Sequence, residues 1–296
     1  MFEFVFSRKN PETPVAYASV EAMHTVLEMI LVSPDEEFSK QIIEQAFAMV
    51  KQMDSLFNRF DANSEIGKLN RRDTPTCMIT DKQVYTLLEY CENSRKKTGG
   101  YFDVTALSRY ETHPPAIPYR LDRNTNAVTF SNCHTQIDVG GIAKGFALEA
   151  VNQLLASHAI GRALVNFGNS SVLAVGTHPY GDYWPVAVEH VAQSGVAACH
   201  LELADNALSV SGLTPQREGH IKNPLTNAYC ANEELVVVKG VSPLIAEALS
   251  TALYAAPDNE RPRILSNYEN YTAYTIRCKK GTKATISEIG NTNKRV

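Results

Sequence analysis

The period of the apolar residues changes at Pro34, and that change limits the folds open to this chain more than any other feature. From Tyr17 to Ser33 the side chains alternate, with Met23, Thr25, Leu27, Met29 and Leu31 on one face and His24, Val26, Glu28, Ile30 and Val32 on the other. This is the period of a strand. Ser33-Pro34-Asp35-Glu36 then opens a long helix in which Phe38, Ile42, Ala46, Met49, Val50, Met53 and Phe57 keep helical spacing. Such a helix needs a sheet to cover its apolar stripe.

The mixture continues without strict alternation. A second helix follows Thr80-Asp81, carries Val84, Leu87, Leu88 and Cys91 on one face and stops at Gly99-Gly100; its basic last turn, Arg95-Lys96-Lys97, suits the helix dipole and reads as a solvated face. Short strands and turns are expected between Pro114 and Asn132. A third helix buries Phe146, Ala150, Val151, Leu154 and Leu155 and ends near Gly161, and a fourth covers Pro243 to Ala255. Strands are expected at 162–167, 172–175, 183–189, 235–238 and 271–277. Strands and helices in this order favour an α+β fold over a doubly wound sheet. Residues 1–16 read as an N-terminal extension or edge segment, and 17–296 as a single domain.

Composition narrows the function classes. With 44% hydrophobic and 20% charged residues in 296, the chain has ample core. A formal net charge of -4 and no basic cluster interleaved with aromatics argue against a nucleic-acid partner. The six cysteines show neither C-x-x-C nor zinc-finger spacing, so reduced structural thiols are expected. The opening Met1-Phe2-Glu3-Phe4-Val5-Phe6 is too short an apolar run for a signal peptide, and no later run approaches spanning length. The chain as it stands reads as cytoplasmic, and as exported or anchored only if an N-terminal signal has been removed.

The segment richest in chemistry is Asp138-Val139-Gly140-Gly141-Ile142-Ala143-Lys144-Gly145, ahead of the third helix. Glycines admit a ligand close to backbone, helix N-terminal N–H groups favour anionic oxygens, and Lys144 adds a positive charge. The same letters also suit a packed strand-to-helix turn. Glu247 and Thr251, four apart on a helix, can share one cation or simply an exposed face. His220 sits where an imidazole can act as a base or satisfy local hydrogen bonds. Tyr101 and Phe102, beside Asp103, can hold a flat ring or belong to the core.

In order, these segments resemble the ApbE family of FAD:protein FMN transferases from about Met23 to Leu253. The family's M-G-T is Met23-His24-Thr25, and its S-x-F and S-E-I-x-x-L-N segments are Ser55-Leu56-Phe57, ahead of Phe60, and Ser64 to Asn70. Its G-x-F-D-x-T is Gly100 to Thr105, and D-L-G-G-I-A-K-G matches Asp138 to Gly145 almost letter for letter. Trp184, Ser211-Gly212, His220-Ile221 and Ala246 to Leu253 complete the series.

The resemblance implies a single mixed domain, related to the T-fold, with a largely antiparallel sheet and packed helices. It implies a Mg2+-dependent enzyme that splits FAD, releases AMP and esterifies FMN to a threonine of an acceptor flavoprotein. Gly141 (through its carbonyl), Glu247 and Thr251 would hold the metal. Met23, Phe60, Tyr101, Phe102, Asp103, Asp138, Lys144 and Ile221 would line the FAD site, with Lys144 and His220 as the catalytic candidates. An FAD-binding protein with lost or merely hydrolytic activity is the alternative.

Four departures bear on it. Glu247 stands for the family's aspartate, Asn223 for the aspartate of H-I-I-D-P, Ser170 for that of N-x-G-G-D, and His24 for glycine. The piece between Gly212 and His220 is also shorter than usual, so a small hairpin is expected to be missing there.

Overall fold

In the computed structural model, which describes residues 2–110, 115–193, 195–212, 221–231, 233–278 and 282–290, the alternating stretch after Tyr17 is a hairpin and not one strand. Strands β1 (Glu3–Ser7), β2 (Val15–Ala22) and β3 (Thr25–Val32) pair antiparallel in sequence order. Met23 and His24 turn the chain at φ 48° and 60°, the positive values that a two-residue hairpin turn of the primed type demands. No Asn-Gly marks this turn, so the alternation reads straight through it. Ala16 and Ala18 lie opposite Leu31 and Met29, and all four are fully buried.

The long helix α1 (Glu36–Phe57) starts at Asp35, whose carboxylate accepts the Phe38 N–H at 3.0 Å. Ile42, Ile43, Ala46, Phe47, Val50 and Met53 bury against the sheet. Next come α2 (Glu65–Asn70), β4 (Thr76–Met78), α3 (Lys82–Lys97), β5 (Tyr119–Asp122) and β6 (Ala127–Phe130). The last two strands and β4 form a small sheet in the order β4-β6-β5. Arg95 in the last turn of α3 is not a solvated charge: its Nε donates to Asp103 at 2.8 Å and its Nη2 to the Ala116 carbonyl at 2.7 Å.

The second half contributes α4 (Ala143–Ser157), β7 (Ala163–Phe167), β8 (Ser171–Val175), β9 (Trp184–Glu189), β10 (Ala197–Leu203), β11 (Asn206–Gly212) and β12 (Glu234–Gly240). It closes with α5 (Pro243–Ala255), α6 (Arg261–Leu265), β13 (Thr272–Arg277) and β14 (Thr285–Glu288). Among the described residues the main sheet has nine strands, ordered β1-β2-β3-β7-β8-β11-β12-β13-β14, every neighbour antiparallel. The α+β expectation therefore holds.

Strand β12 explains how both faces of this sheet are filled. Val236 and Val238 pack with Leu249 and Leu253 of α5, while Leu235 and Val237 pack with Trp184 and Val188 of the β9–β10 hairpin. A strand buried on both faces has no polar side, hence its continuous Leu-Val-Val-Val run. The helices α1, α4 and α5 thus cover one face and the hairpin covers part of the other. Helices α4 and α5 approach closely because position 145 is glycine: a Cβ there would lie 2.5 Å from the Pro243 carbonyl and 2.9 Å from Leu244 Cα. All six cysteines are free thiols, and burial pushes those of Cys91 and Cys278 upward. Among the described residues no helix is long and apolar enough to cross a membrane.

Candidate functional site

The glycine run ends at the N-terminus of α4, which no side chain of its own segment caps. The cap comes from α5. Glu247, only 4% exposed, accepts the Gly145 N–H with one carboxylate oxygen and pairs with Lys144 Nζ through the other. A carboxylate buried this deeply must be paired and hydrogen-bonded. The helix terminus supplies N–H groups and a favourable dipole, and Lys144 supplies the countercharge. Ser171 Oγ adds a donor at 3.4 Å.

One turn further along α5, Thr251 Oγ1 stands 3.4 Å from the Gly141 carbonyl oxygen. Glycine at 141 eases this approach, since a Cβ would come 3.2 Å from Thr251 Cγ2 and push that side chain back by a few tenths of an ångström. Behind Thr251 runs a chain of buried hydroxyls. Ser250 Oγ donates to the Glu247 carbonyl at 3.0 Å and lies 3.0 and 2.9 Å from the Oγ atoms of Ser209 and Ser211, the latter 3.4 Å from Thr251 Oγ1. Because the single Ser250 proton is committed to the carbonyl, Ser209 and Ser211 donate to Ser250. Ser211 keeps a lone pair free for Thr251.

Asp138 shapes the other side of the turn. Its Oδ1 accepts the Gly140 N–H at 2.8 Å, and its Oδ2 accepts Arg59 Nη1 at 2.9 Å. The Arg59 guanidinium also lies 4.8 Å from the centroid of Phe60, a cation–π contact on a ring that is 70% exposed. Asp103 is tied down by the Thr105 N–H and hydroxyl at 2.8 and 2.6 Å, besides Arg95. Asn223 donates from Nδ2 to the Ala255 carbonyl at 2.8 Å and accepts the Leu225 and Thr226 N–H groups on Oδ1. An aspartate could not make the first bond, which gives the asparagine a structural reason. Near the end of β7, Asn166 Nδ2 reaches both Glu28 and Asn169 of the following turn.

These groups surround one cavity of about 990 Å³, within the size range of small-molecule and cofactor sites. Phe60, Tyr101, Phe102, Asp103 and Asp138 line it, as do Gly141, Lys144, Ile221, Glu247 and Thr251. Met23 does not: it packs against the main core at the β2–β3 turn. His220 lies outside the described residues. Arg59, Lys222 and the wall from Val188 to Ala192 also line the cavity without having been marked in the sequence, and so does the Gly168–Ser170 turn, where only Ser170 was marked. Burial, with Arg109 nearby, holds the Lys222 ammonium below its usual range. Arg59 had a signal in its position next to Phe60, whereas His190 had none. Among the described residues no group of three or more His, Cys, Asp and Glu side chains is gathered for a metal, so a cation here would rely on carbonyl and hydroxyl oxygens beside Glu247.

The ApbE family model matches residues 23–275. The chain is similar to the FAD:protein FMN transferase of Treponema pallidum, 24% identical over 292 residues that cover 83% of this chain and 80% of that protein. A second similar protein is the FAD:protein FMN transferase of Chlamydia muridarum, 26% identical over 249 residues, covering 72% and 75%. In fold the chain is similar to the flavin transferase ApbE from Vibrio cholerae, with TM-score 0.78 and 19% identity over 93% of this chain and 97% of that one. It is also similar to the Pseudomonas stutzeri flavinyl transferase ApbE in its apo form, with TM-score 0.77 and 20% identity over 94% and 98%.

Proposed function

The chain belongs to the ApbE family, and from that premise we propose that it transfers FMN from FAD to an acceptor protein. The observation that carries this reading is the meeting of Lys144, Asp138, Gly141, Glu247 and Thr251 around one cavity. In the proposed reaction a threonine hydroxyl of the acceptor attacks the FMN phosphorus. The bond from that phosphorus to the bridging oxygen breaks, and AMP leaves with the bridging oxygen. Lys144 holds the diphosphate oxygens as charge shifts toward the leaving group, with the positive end of the α4 dipole behind it. His220 takes the hydroxyl proton.

The proposed Mg2+ site uses Gly141 O, Thr251 Oγ1 and Glu247. Two neutral oxygens 3.4 Å apart and a carboxylate one turn away suit a hard cation, and the spare lone pair on Ser211 lets the Thr251 proton turn aside. When bound, the cation supplies charge neutralisation at the diphosphate. Glu247 would join it with a lone pair left over from Lys144, whose ammonium pairs with it, and a lysine released by the cation would be free for phosphate.

Purified protein given FAD, Mg2+ and a threonine-bearing acceptor is expected to yield AMP and a flavinylated product in equal amounts over many turnovers. Neither product appearing overturns the reading. The engagement of Glu247 by Lys144 and Gly145 favours a second one, FAD binding with hydrolysis to FMN and AMP or with no turnover. Free FMN in place of the protein adduct, or tight binding without AMP, supports that alternative.

A further inference from the structure

On the reading that the cavity takes a dinucleotide, we propose that His190 is its ring-recognition residue: a neutral donor for the accepting edge of a heteroaromatic ring. His190 follows β9 and lines the cavity. It is 3% exposed. Its Nδ1 accepts the Ala192 N–H at 3.2 Å, so the neutral imidazole carries its proton on Nε2. That Nε2 is buried and has no partner among the described residues. Polar atoms buried this completely are nearly always hydrogen-bonded, and this one, in a residue that lines the cavity, gains a partner when a ligand edge displaces the side chains that cover it.

The surroundings select the chemistry. Val188, Val191, Val210 and Leu235 line the cavity beside His190, and all belong to the apolar cluster on the hairpin side of the sheet. Lys144 and Glu247 lie on the helical side. The cavity therefore passes round the end of the sheet, past Ser211 and Gly212 and the Gly168–Ser170 turn. A phosphate finds its countercharges at Lys144 and Arg59. A single uncharged N–H among valines and a leucine suits a ring carbonyl or ring nitrogen instead, where the faces are apolar and only the edge needs a donor. Glu189, the neighbouring acid, accepts the Gly195 N–H at 3.2 Å. In FAD two rings present such an edge, the flavin pyrimidine and the adenine.

The test is binding of FAD, FMN and ADP to the full chain, compared for the wild type, H190F and H190Q by calorimetry, with circular dichroism and melting curves alongside. H190F is expected to weaken FAD about tenfold, the effect of one lost neutral hydrogen bond. The same loss should fall on one half only: on FMN if the ring is the flavin, on ADP if it is the adenine. H190Q, whose amide can offer an N–H near the place of Nε2, is expected to recover most of it. FAD binding by H190F at wild-type strength overturns the proposal, and so does equal weakening of both halves, which marks a residue that only positions the hairpin. If H190F does not fold, the nitrogen and proton resonances of the His190 Nε2–H in 15N-histidine-labelled wild type decide. They should move on saturation with FAD, and their failure to move overturns the assignment. A wild type that binds none of the three ligands removes the dinucleotide reading itself, an outcome distinct from a failure confined to the variants.

Discussion

Glu247 concentrates the chemistry of the site in one side chain. Its extra methylene relative to aspartate carries the carboxylate onto Lys144 and the N-terminus of α4. E247D withdraws it from both. That variant is expected to lose about 1 kcal/mol of stability through the weakened cap and to bind Mg2+ several-fold more tightly, as read by melting and by calorimetry without FAD. Unchanged Mg2+ affinity would remove Glu247 from the proposed ligand set. At this scale the motifs pointed to several residues of one cavity, though Met23, from the first motif, lies away from it. Asp138, Gly141, Lys144, Glu247 and Thr251 all line the cavity to which their letters pointed. Arg59 was overlooked although it adjoins Phe60, and His190 was not legible at all. The first pairs with a carboxylate 79 positions away, and the second reaches the cavity only because a hairpin folds over the sheet, which no local spacing encodes.

The helices were legible because their signals are local. Asp35 and Asp81 each accept an N–H of the first helical turn, the stripe of α3 buries the residues that its periodicity marked, and that of α1 buries all but the half-buried Phe38 and Met49. Turns without glycine were not. The Met23-His24 turn and the Ala204-Asp205 link between β10 and β11, with Asp205 at φ 51°, both hide inside alternating text, so β2 merged with β3 and the strands β10 and β11 went unread. The short α2 was missed because six residues give too little periodicity, although Ser64 caps it at 2.8 Å. Element packing makes its own prediction at Gly145. In G145A the new methyl would meet backbone atoms of α5, which cannot rotate away, so the two helices must part. The expected cost is about 2 kcal/mol with a lowered melting temperature, and weaker Mg2+ binding as Gly141 and Thr251 separate. A melting curve equal to the wild type would contradict this packing.

At the scale of the whole molecule, the large sheet separates two apolar layers, and the cavity is open to both. Among the described residues β9 and β10 pair only with each other, so the hairpin is held to the sheet by side chains and not by strand hydrogen bonds. A ligand that touches both Lys144 and His190 adds its binding free energy to that attachment. Saturating FAD is therefore expected to slow amide exchange in residues 184–203 as well as in the first turns of α4 and α5. Slowing confined to the helices would mean that the ligand stops short of the hairpin. On the same reading the end of the hairpin, tied by a 2.8 Å bond from the His190 N–H to the Val196 carbonyl, should become harder to cleave as FAD is added. Its cleavage rate under limited proteolysis would gauge what fraction of the protein is loaded at any moment.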